Sequence, residues 1–231
     1  MLKVDIKKLR ITHKDNTLVD ISFNITTSTA LIGESGSGKS LTLKSLLNLL
    51  PNSLDIQKDI QSNFELNHKT IGFIPQNPFT SLSPMTKISK QFFCSKEKQQ
   101  KLLKLVDLPN EVLEKFPNQL SGGQIQRIII AIALSNDVKI LLLDEPTTAL
   151  DIKNKENIIK LVDQLVKKFN ILILFVTHDI ESIRNLCEKI LIINKGKIVE
   201  EGLTKEILQN PQEKYTKKLI DSNFKNKDFR K

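Results

Sequence analysis

The chain has 231 residues, enough for one well-buried domain or at most two small ones. Hydrophobic residues make up 39% and charged residues 26%, which excludes a disordered, collagenous or coiled-coil chain. The longest apolar stretches, Ile128–Leu134 and Ile171–Val176, are far shorter than the roughly 18 uncharged residues that a membrane-spanning helix needs. The charged N-terminus lacks the apolar segment of a secretory signal. Cys94 and Cys187 do not have metal-ligand spacing, and they indicate a reducing cytosol rather than a disulfide framework.

Alternating apolar residues at the start of the chain predict antiparallel strands on either side of the polar turn 14–16. The residues that alternate are Leu2, Val4 and Ile6, then Ile21, Phe23 and Ile25. A short apolar run, Ala30–Ile32, predicts a buried strand that ends at Gly33. From Lys39 to Leu50 the apolar spacing becomes helical, and Pro51 ends the predicted helix.

Further along the chain, predicted strands alternate with helices. Ile71–Ile74 is a predicted strand, and residues from about 86 to 134 are a predicted series of helices. Three later strands are continuous Ile, Leu and Val runs, as in strands covered on both faces of a parallel sheet: Lys139–Leu143, Ile171–Val176 and Lys189–Ile193. Helices are predicted near Ile152–Lys168 and Ile180–Leu186. This order predicts an α/β domain with a helical insertion at about 77–135.

Five of the eight glycines lie in two short clusters, and the first cluster fits the phosphate-binding pattern G-x-x-x-x-G-K-[ST]. The matching residues are Gly33, Glu34, Ser35, Gly36, Ser37, Gly38, Lys39 and Ser40. The segment follows a predicted buried strand and opens a predicted helix, so its backbone N–H groups can cradle an anion. Lys39 would reach the β- and γ-phosphates, and the Ser40 hydroxyl would bind Mg²⁺. The alternative is a tight strand-to-helix turn without a ligand.

A second element carries two adjacent carboxylates at the end of an apolar strand. Asp144 and Glu145 follow Ile140–Leu143, as the acidic residues of a Walker B segment do. Asp144 would hold Mg²⁺, and Glu145 could polarise the attacking water as a general base. Two acids at a strand end are by themselves usually just solvated. In combination with the phosphate loop they predict a nucleoside-triphosphate site.

Residues 120–124, Leu-Ser-Gly-Gly-Gln, resemble the signature motif of ATP-binding-cassette (ABC) ATPases. Other motifs of that family follow the expected order: Gln76 matches the Q-loop, residues 148–151 (Thr-Ala-Leu-Asp) the D-loop, and His178 the H-loop. The resemblance extends from about residue 3 to residue 219. It implies an α/β fold with a P-loop NTPase (RecA-like) core, an N-terminal antiparallel β subdomain and an inserted, shortened α-helical subdomain. The ABC domain would then occupy residues 1–219, with a basic tail at 220–231.

The resemblance also implies an ATPase that works as a head-to-tail dimer. ATP would lie between the phosphate loop, 33–40, of one chain and the signature segment of the other, with Mg²⁺ as cofactor. Catalysis would use Glu145, His178 and Gln76, and the metal would be held by Ser40, Gln76 and Asp144. The residues of the signature segment that contact the nucleotide would be Ser121, Gly122, Gly123 and Gln124. Asp151 would communicate across the dimer.

Two positions depart from the family pattern. His13 falls where the family usually stacks a tyrosine on adenine, and imidazole offers less stacking area than a phenol ring. His13 could equally be an ordinary exposed turn residue. Leu120 lies only 44 positions after Gln76, which is short for the family and predicts a trimmed helical insertion.

Two segments are similar to the oligopeptide/dipeptide/nickel importer group of the family. Residues 76–84 resemble the group's Q-D-P-x-x-S-L-N-P sequence, and residues 211–219 resemble its H-P-Y-T-x-x-L stretch. The similarity implies an ATP-hydrolysing subunit of an importer for peptides or for nickel and other metal complexes. Its partners would be a second, different ATP-binding subunit, two membrane permease subunits and, indirectly, an extracytoplasmic binding protein. The chain would be a peripheral protein on the cytoplasmic face of the cell membrane.

Two other functions remain open at this point: the ATPase of an exporter, and a non-transport ABC ATPase that acts on nucleic acid or ribosomes. Residues 76–84 disfavour an exporter. The net charge of +9 could suggest a nucleic-acid partner. More than half of that charge lies in Lys214–Lys231, which contains seven basic and two acidic residues. Charge without a shaped basic groove gives no specificity, so no nucleic-acid partner is expected. The tail is either a solvated, frayed end or weakly attracted to an anionic membrane surface.

Overall fold

The fold is taken from a computed structural model that describes residues 1–148 and 151–228. The nine strands among these residues are β1 Val4–His13, β2 Asn16–Ile25, β3 Thr29–Ile32, β4 Asp55–Ser62, β5 Ile71–Ile74, β6 Ile140–Asp144, β7 Leu172–Thr177, β8 Lys189–Asn194 and β9 Lys197–Leu203. The α-helices are α1 Lys39–Leu46, α2 Lys96–Leu105, α3 Gly122–Ala133, α4 Ile152–Phe169, α5 Ile180–Ile183, α6 Thr204–Gln209 and α7 Lys214–Asp228. Short 3₁₀ helices lie at Pro78–Thr80, Ile88–Gln91, Asn110–Glu114 and Pro117–Gln119.

The chain divides into two compact units. The first contains residues 1–66 and the described residues from Leu172 onward, and the second contains the described part of Asn67–Ile171. Within the part of the chain that the structure describes, no helix has both the length and the apolar character to cross a membrane.

An antiparallel sheet in the order β2-β1-β4 opens the first unit. Strands β1 and β2 form a hairpin in which Val4 is opposite Ile25 and His13 is opposite Asn16. The inward side chains of both strands are buried, as the predicted alternation requires. Strand β4 was not predicted from the sequence, because six of its eight residues are exposed and carry no apolar alternation.

The second sheet segment of the first unit has the strand order β7-β3-β8-β9. Strands β7 and β8 both pair parallel to β3, and β9 returns antiparallel to β8. All four residues of β3 are buried, as expected for a strand with neighbours on both sides. The carboxyl ends of β3 and β7 therefore lie side by side, at the edge where ligands bind in open α/β sheets.

The second unit is built on the parallel pair β5 and β6, in which Ile71 is opposite Ile140 and Ile74 is opposite Leu143. The described residues between the two strands form helices and turns, from Pro78–Thr80 to α3. Helix α3 packs an apolar face that includes Ile125, Ile128 and Ile129 into the core of this unit. Helix α4 follows β6 and completes the unit.

Three helices differ in extent from the sequence patterns, and one of them, α5, ends at Ile183 rather than at Leu186. Helix α1 ends at Leu46 rather than at Leu50, because Asn48 takes a left-handed conformation with a φ of 55°. Leu49 N–H then donates to the Lys44 carbonyl at 2.8 Å, which is the six-to-one hydrogen bond of a Schellman motif. Helix α7 runs through the proposed boundary at residue 219 and includes residues 220–228; the rest of the predicted tail, 229–231, lies outside the described residues.

Candidate nucleotide site

The predicted phosphate loop lies between the end of β3 at Ile32 and the start of α1 at Lys39. Gly36 has a φ of 78° and Gly38 a φ of 109°, a region that side-chain-bearing residues rarely adopt. A Cβ at Gly38 would also come within 2.8 Å of Val19 Cγ2, whereas one at Gly36 would meet open space. The loop therefore needs glycine at these two positions for its backbone path, and at Gly38 for close packing as well.

Lys39 is buried beneath this loop. Its Nζ donates to the carbonyl oxygens of Gly33 at 2.8 Å and Glu34 at 2.9 Å, so the ammonium group lies within the curve of the loop. The Ser37 hydroxyl is buried and has no hydrogen-bond partner among the described residues. The Ser37 carbonyl accepts from Gly196 N–H at 2.9 Å, and this hydrogen bond fixes the backbone of Ser37.

These features fit an anionic ligand. The loop holds a buried cation, an unpartnered hydroxyl and the positive N-terminus of α1, whose N-cap residue, Gly38, has no side chain to cap it. Ser40 is exposed in the first turn of α1. Hydroxyl and carboxylate oxygens are ligands that Mg²⁺ accepts together with phosphate oxygens, so Ser40 and Asp144 are chemically suited to that ion.

Two histidines of the first unit were predicted to contribute. His178 directly follows β7 and is exposed, at the same edge as the phosphate loop, since β7 and β3 are parallel neighbours. The segment after it is ordered by Asp179 N–H, which donates to Thr177 Oγ1 at 3.0 Å. His13 ends β1 and is also exposed.

The acidic residues of the second unit lie at the end of β6. Asp144, the last residue of the strand, is buried with 7% of its surface exposed. Glu145 follows with a φ of 44°, an uncommon conformation for a residue other than glycine. Its carboxylate accepts from Gln76 Nε2 at 3.3 Å and from Thr148 Oγ1 at 3.1 Å. The structure thus brings Gln76 and Glu145 together, as the β5–β6 pairing requires.

The signature segment forms the N-terminus of α3. Ser121 is the exposed N-cap residue, and its Oγ accepts from Gln124 N–H at 3.3 Å. In return, Gln124 Oε1 accepts from Ser121 N–H at 3.0 Å, which completes a capping box. A Cβ at Gly122 would lie 3.4 Å from Phe79, and one at Gly123 would lie 3.5 Å from Asn154, which are ordinary van der Waals distances.

The predicted D-loop is described only in part, because Ala149 and Leu150 lie outside the described residues. Asp151 is the exposed N-cap residue of α4, and its Oδ1 accepts from Asn154 N–H at 2.9 Å.

Two contacts at or next to the predicted site residues were not predicted from the sequence. The Tyr215 hydroxyl, on α7, accepts from Glu34 N–H in the phosphate loop at 3.1 Å. Gln126 Nε2, on α3, donates to the carbonyl of Pro146, next to Glu145, at 2.9 Å. Tyr215 is the only tyrosine of the chain and lies within the importer-like segment 211–219, a signal that could have drawn attention to it.

Comparison with known proteins identifies the family of the chain. Residues 17–148 match the family described as "ABC transporter". The chain is 35% identical to the oligopeptide transport ATP-binding protein OppD of Bacillus subtilis, with 84% of the chain aligned, and spans 62% of that protein's length. It is 31% identical to the metal-staphylopine import system ATP-binding protein CntD of Staphylococcus aureus, with 99% of the chain and 96% of CntD aligned.

Among solved structures, the fold is similar to the dimeric post-hydrolysis structure of the ATP-binding cassette MJ0796 bound to ADP and Pi. The TM-score is 0.72 at 27% identity, over 87% of this chain and 98% of that one. The mixed α/β architecture with its antiparallel and parallel sheets is that of an ABC ATPase, as predicted. The family match over residues 17–148, which include the strand, glycine loop and helix around Lys39, shows that the chain belongs to the ABC transporter family, and the chain resembles the ATP-binding proteins of peptide and metal importers.

Proposed function

We propose that this chain is the ATP-hydrolysing subunit of an ABC importer. The observation that carries the proposal is the phosphate loop between β3 and α1, with its two left-handed glycines and Lys39 buried beneath it. The similarity to ATP-binding proteins of oligopeptide and metal-staphylopine import supports the direction of transport.

In this proposal the loop residues Gly33–Ser40 bind the triphosphate. Their N–H groups and the N-terminus of α1 supply preorganised dipoles, and Lys39 supplies a positive charge that does not need to be desolvated on binding. Mg²⁺, when bound, neutralises charge on the β- and γ-phosphates. Ser40 contributes a hydroxyl and Asp144 a carboxylate to hold it, with the Gln76 side chain as a further oxygen donor.

Glu145 is the proposed general base, and it accepts a proton from the attacking water at its carboxylate. Two hydrogen bonds, from Gln76 and Thr148, orient that carboxylate, and both reach the same oxygen, Oε2. A positioned base of this kind contributes about 10²–10⁴ in rate. His178, exposed after β7, is the proposed contact to the γ-phosphate, and exposed His13 the proposed contact to adenine.

A second ATP-binding subunit is the proposed partner across the nucleotide. The signature segment offers an exposed serine and two glycines at the N-terminus of the 12-residue helix α3, an arrangement suited to an anion held by another chain. In a head-to-tail pair each phosphate loop would face the partner's Ser121–Gln124 segment, and Asp151 would contact the partner. The dimer in the MJ0796 structure supports such an assembly.

The proposed cargo is a peptide or a metal complex, because the relatives include importers of both kinds. Two permease subunits would carry it through the membrane, and an extracytoplasmic binding protein would deliver it to them. The chain would then act from the cytoplasmic face of the membrane, bound peripherally to the permeases.

The test is cargo uptake by cells that lack the gene for this chain. We expect loss of uptake of either labelled oligopeptides or chelated nickel, cobalt or zinc. The wild-type chain should restore uptake, and the Glu145→Gln chain should not. Unchanged uptake of all these cargoes together with slower efflux of another compound would contradict import and indicate an exporter.

A further inference from the structure

A side chain of helix α7 forms a hydrogen bond with the phosphate loop. Tyr215, in the first turn of α7, is half-buried, and its hydroxyl accepts the Glu34 N–H at 3.1 Å. Glu34 is the second residue of the loop, and its carbonyl accepts from the Lys39 ammonium at 2.9 Å. The backbone of Glu34 is therefore held both at its N–H and at its carbonyl.

The start of α7 is itself fixed to β9. The carboxylate oxygens of Glu200 accept from Gln212 N–H at 2.7 Å and from Glu213 N–H at 3.2 Å, immediately before α7 begins. A carboxylate that accepts two N–H groups at the beginning of a helix also complements the helix dipole. These bonds determine where Tyr215 lies.

Two turns further along, the same helix contacts the segment that follows His178. Asn223 Oδ1 accepts from Ile180 N–H, the first residue of α5, at 3.4 Å. Asn223 lies eight residues after Tyr215, a distance of about 12 Å along the helix axis. Between them Thr216, Leu219 and Ile220 are buried, so the helix is packed against the unit over this length.

We propose that Tyr215 is a positioning residue for nucleotide binding, and that α7 braces the phosphate loop and the His178 segment as one body. The proposal rests on the proposed function of the loop. A loop whose amide is already held loses less conformational freedom when it closes around a triphosphate, and this preorganisation increases affinity. Tyr215 acts through the backbone of Glu34 and does not itself contact the nucleotide.

The chemistry of Tyr215 is consistent with this role. Its hydroxyl is neutral at physiological pH, and burial raises the pKa further above its ordinary value of 10.0, so the group accepts the hydrogen bond without burying a charge. Phenylalanine has the same ring but no acceptor, so Tyr215→Phe removes the hydrogen bond and keeps the packing.

The test is the ATP affinity of variants of the full chain, measured by calorimetry. Tyr215→Phe should raise Kd by about three- to tenfold, the range that one hydrogen bond supplies. Ser222→Ala removes another hydroxyl from α7, one that donates only to the carbonyl of Leu219 within the helix, and should leave Kd unchanged. An unchanged Kd for Tyr215→Phe would overturn the proposal.

A double variant separates the backbone contact from an effect of the Glu34 carboxylate. Because Tyr215 accepts from the N–H of Glu34, the Tyr215→Phe effect should have the same size in a Glu34→Ala background. Its disappearance there would refute the backbone contact. A wild-type chain that binds no ATP would overturn the proposed function together with this inference, whereas normal wild-type binding with an ineffective Tyr215→Phe would overturn this inference alone.

Discussion

Gln76 Nε2 lies 3.3 Å from Glu145 Oε2, and the register of two parallel strands explains why. Ile74 of β5 is directly opposite Leu143 of β6, and each of the two polar residues follows two positions later. The strand pairing therefore places both residues at the same edge of the sheet. Glu145 also adopts a φ of 44°, an uncommon conformation of the kind that clusters at functional sites.

Glu145→Gln keeps the size of this side chain and removes its basicity. We expect ATP to bind with nearly wild-type affinity while phosphate release slows by about 10²–10⁴, the usual contribution of a general base. Steady-state phosphate release by the assembled transporter measures the effect. Glu156→Gln, an exposed change on α4, is the matched control and should be without effect. Normal turnover by Glu145→Gln would refute the base assignment.

The motif-bearing strands could be predicted from the sequence, because each is an apolar run that ends at a chemically distinctive residue. Strand β3 leads to Gly33, β6 ends at Asp144, and His178 follows β7, all as predicted. Burial on both faces makes such strands uniformly apolar, so both their existence and their ends can be read from the residues. The signature helix begins with a capping box between Ser121 and Gln124, two residues that lie only three positions apart in the sequence.

Strand β4 and the two side-chain contacts could not be predicted in this way. The exposed residues of β4 have no apolar period, and the strand exists because β1 offers it a pairing edge. The Tyr215–Glu34 bond joins residues 181 positions apart, and no pattern of spacing encodes such a contact. The apolar spacing predicts that α1 continues to Leu50, but the left-handed conformation of Asn48 ends the helix earlier.

Lys39→Ala tests the phosphate cradle. The substitution removes the ammonium group that bonds to the carbonyls of Gly33 and Glu34, so we expect a large loss of ATP affinity in calorimetry. Lys44→Ala is the matched control, since Lys44 is an exposed lysine of the same helix. If both variants bound ATP as the wild type does, the loop would not be the nucleotide-binding element.

A comparison of Gly38→Ala with Gly36→Ala tests why the loop needs glycine at each position. Both positions have positive φ, and an L-residue there costs about 1–3 kcal/mol. Only at Gly38 does the added Cβ also approach a neighbour, Val19, at 2.8 Å. Gly38→Ala should therefore lower the free energy of unfolding more than Gly36→Ala does, as measured by chemical denaturation. Equal losses would show that the contact with Val19 is relieved at no cost.

Gln126 links the signature helix to the residue after Glu145. The side chain is fully buried, and its Nε2 donates to the Pro146 carbonyl at 2.9 Å. Gln126→Leu leaves that carbonyl without its donor, so we expect a loss of about 1–3 kcal/mol in the free energy of unfolding. Turnover should also fall, because the backbone that holds Glu145 loses this support.

Gln100→Leu, at an exposed position of α2, is the matched control for Gln126→Leu and should change neither quantity. Denaturant unfolding and phosphate release by the assembled transporter give the two readouts. An unfolding free energy equal to that of the wild type would contradict a structural role for the Gln126–Pro146 bond, and lowered stability with normal turnover would limit that role to folding.

Glu200 makes the attachment of α7 dependent on pH. Partial burial alone would raise the pKa of its carboxyl group. Hydrogen bonds from the N–H groups of Gln212 and Glu213 outweigh this, and together with the charge of Lys217 they hold the pKa below its ordinary value of 4.5. A group whose pKa is lower in the folded state binds its proton more weakly there than in the unfolded chain. Its stabilisation is therefore complete above pH 4.5 and is lost as the pH falls through the folded-state value.

Glu200→Gln should remove this part of the acid dependence. We expect the variant to be less stable than the wild type at neutral pH, since a neutral amide accepts the two N–H groups more weakly than a carboxylate does. The difference in stability should shrink as the pH falls below 4.5, because the wild-type carboxylate then gains a proton and becomes uncharged, like the amide of the variant. Thermal unfolding of both chains across this pH range gives the comparison. A stability difference that stayed constant with pH would mean that the Glu200 charge does not hold α7 in place, so that Tyr215 would depend on packing alone for its position.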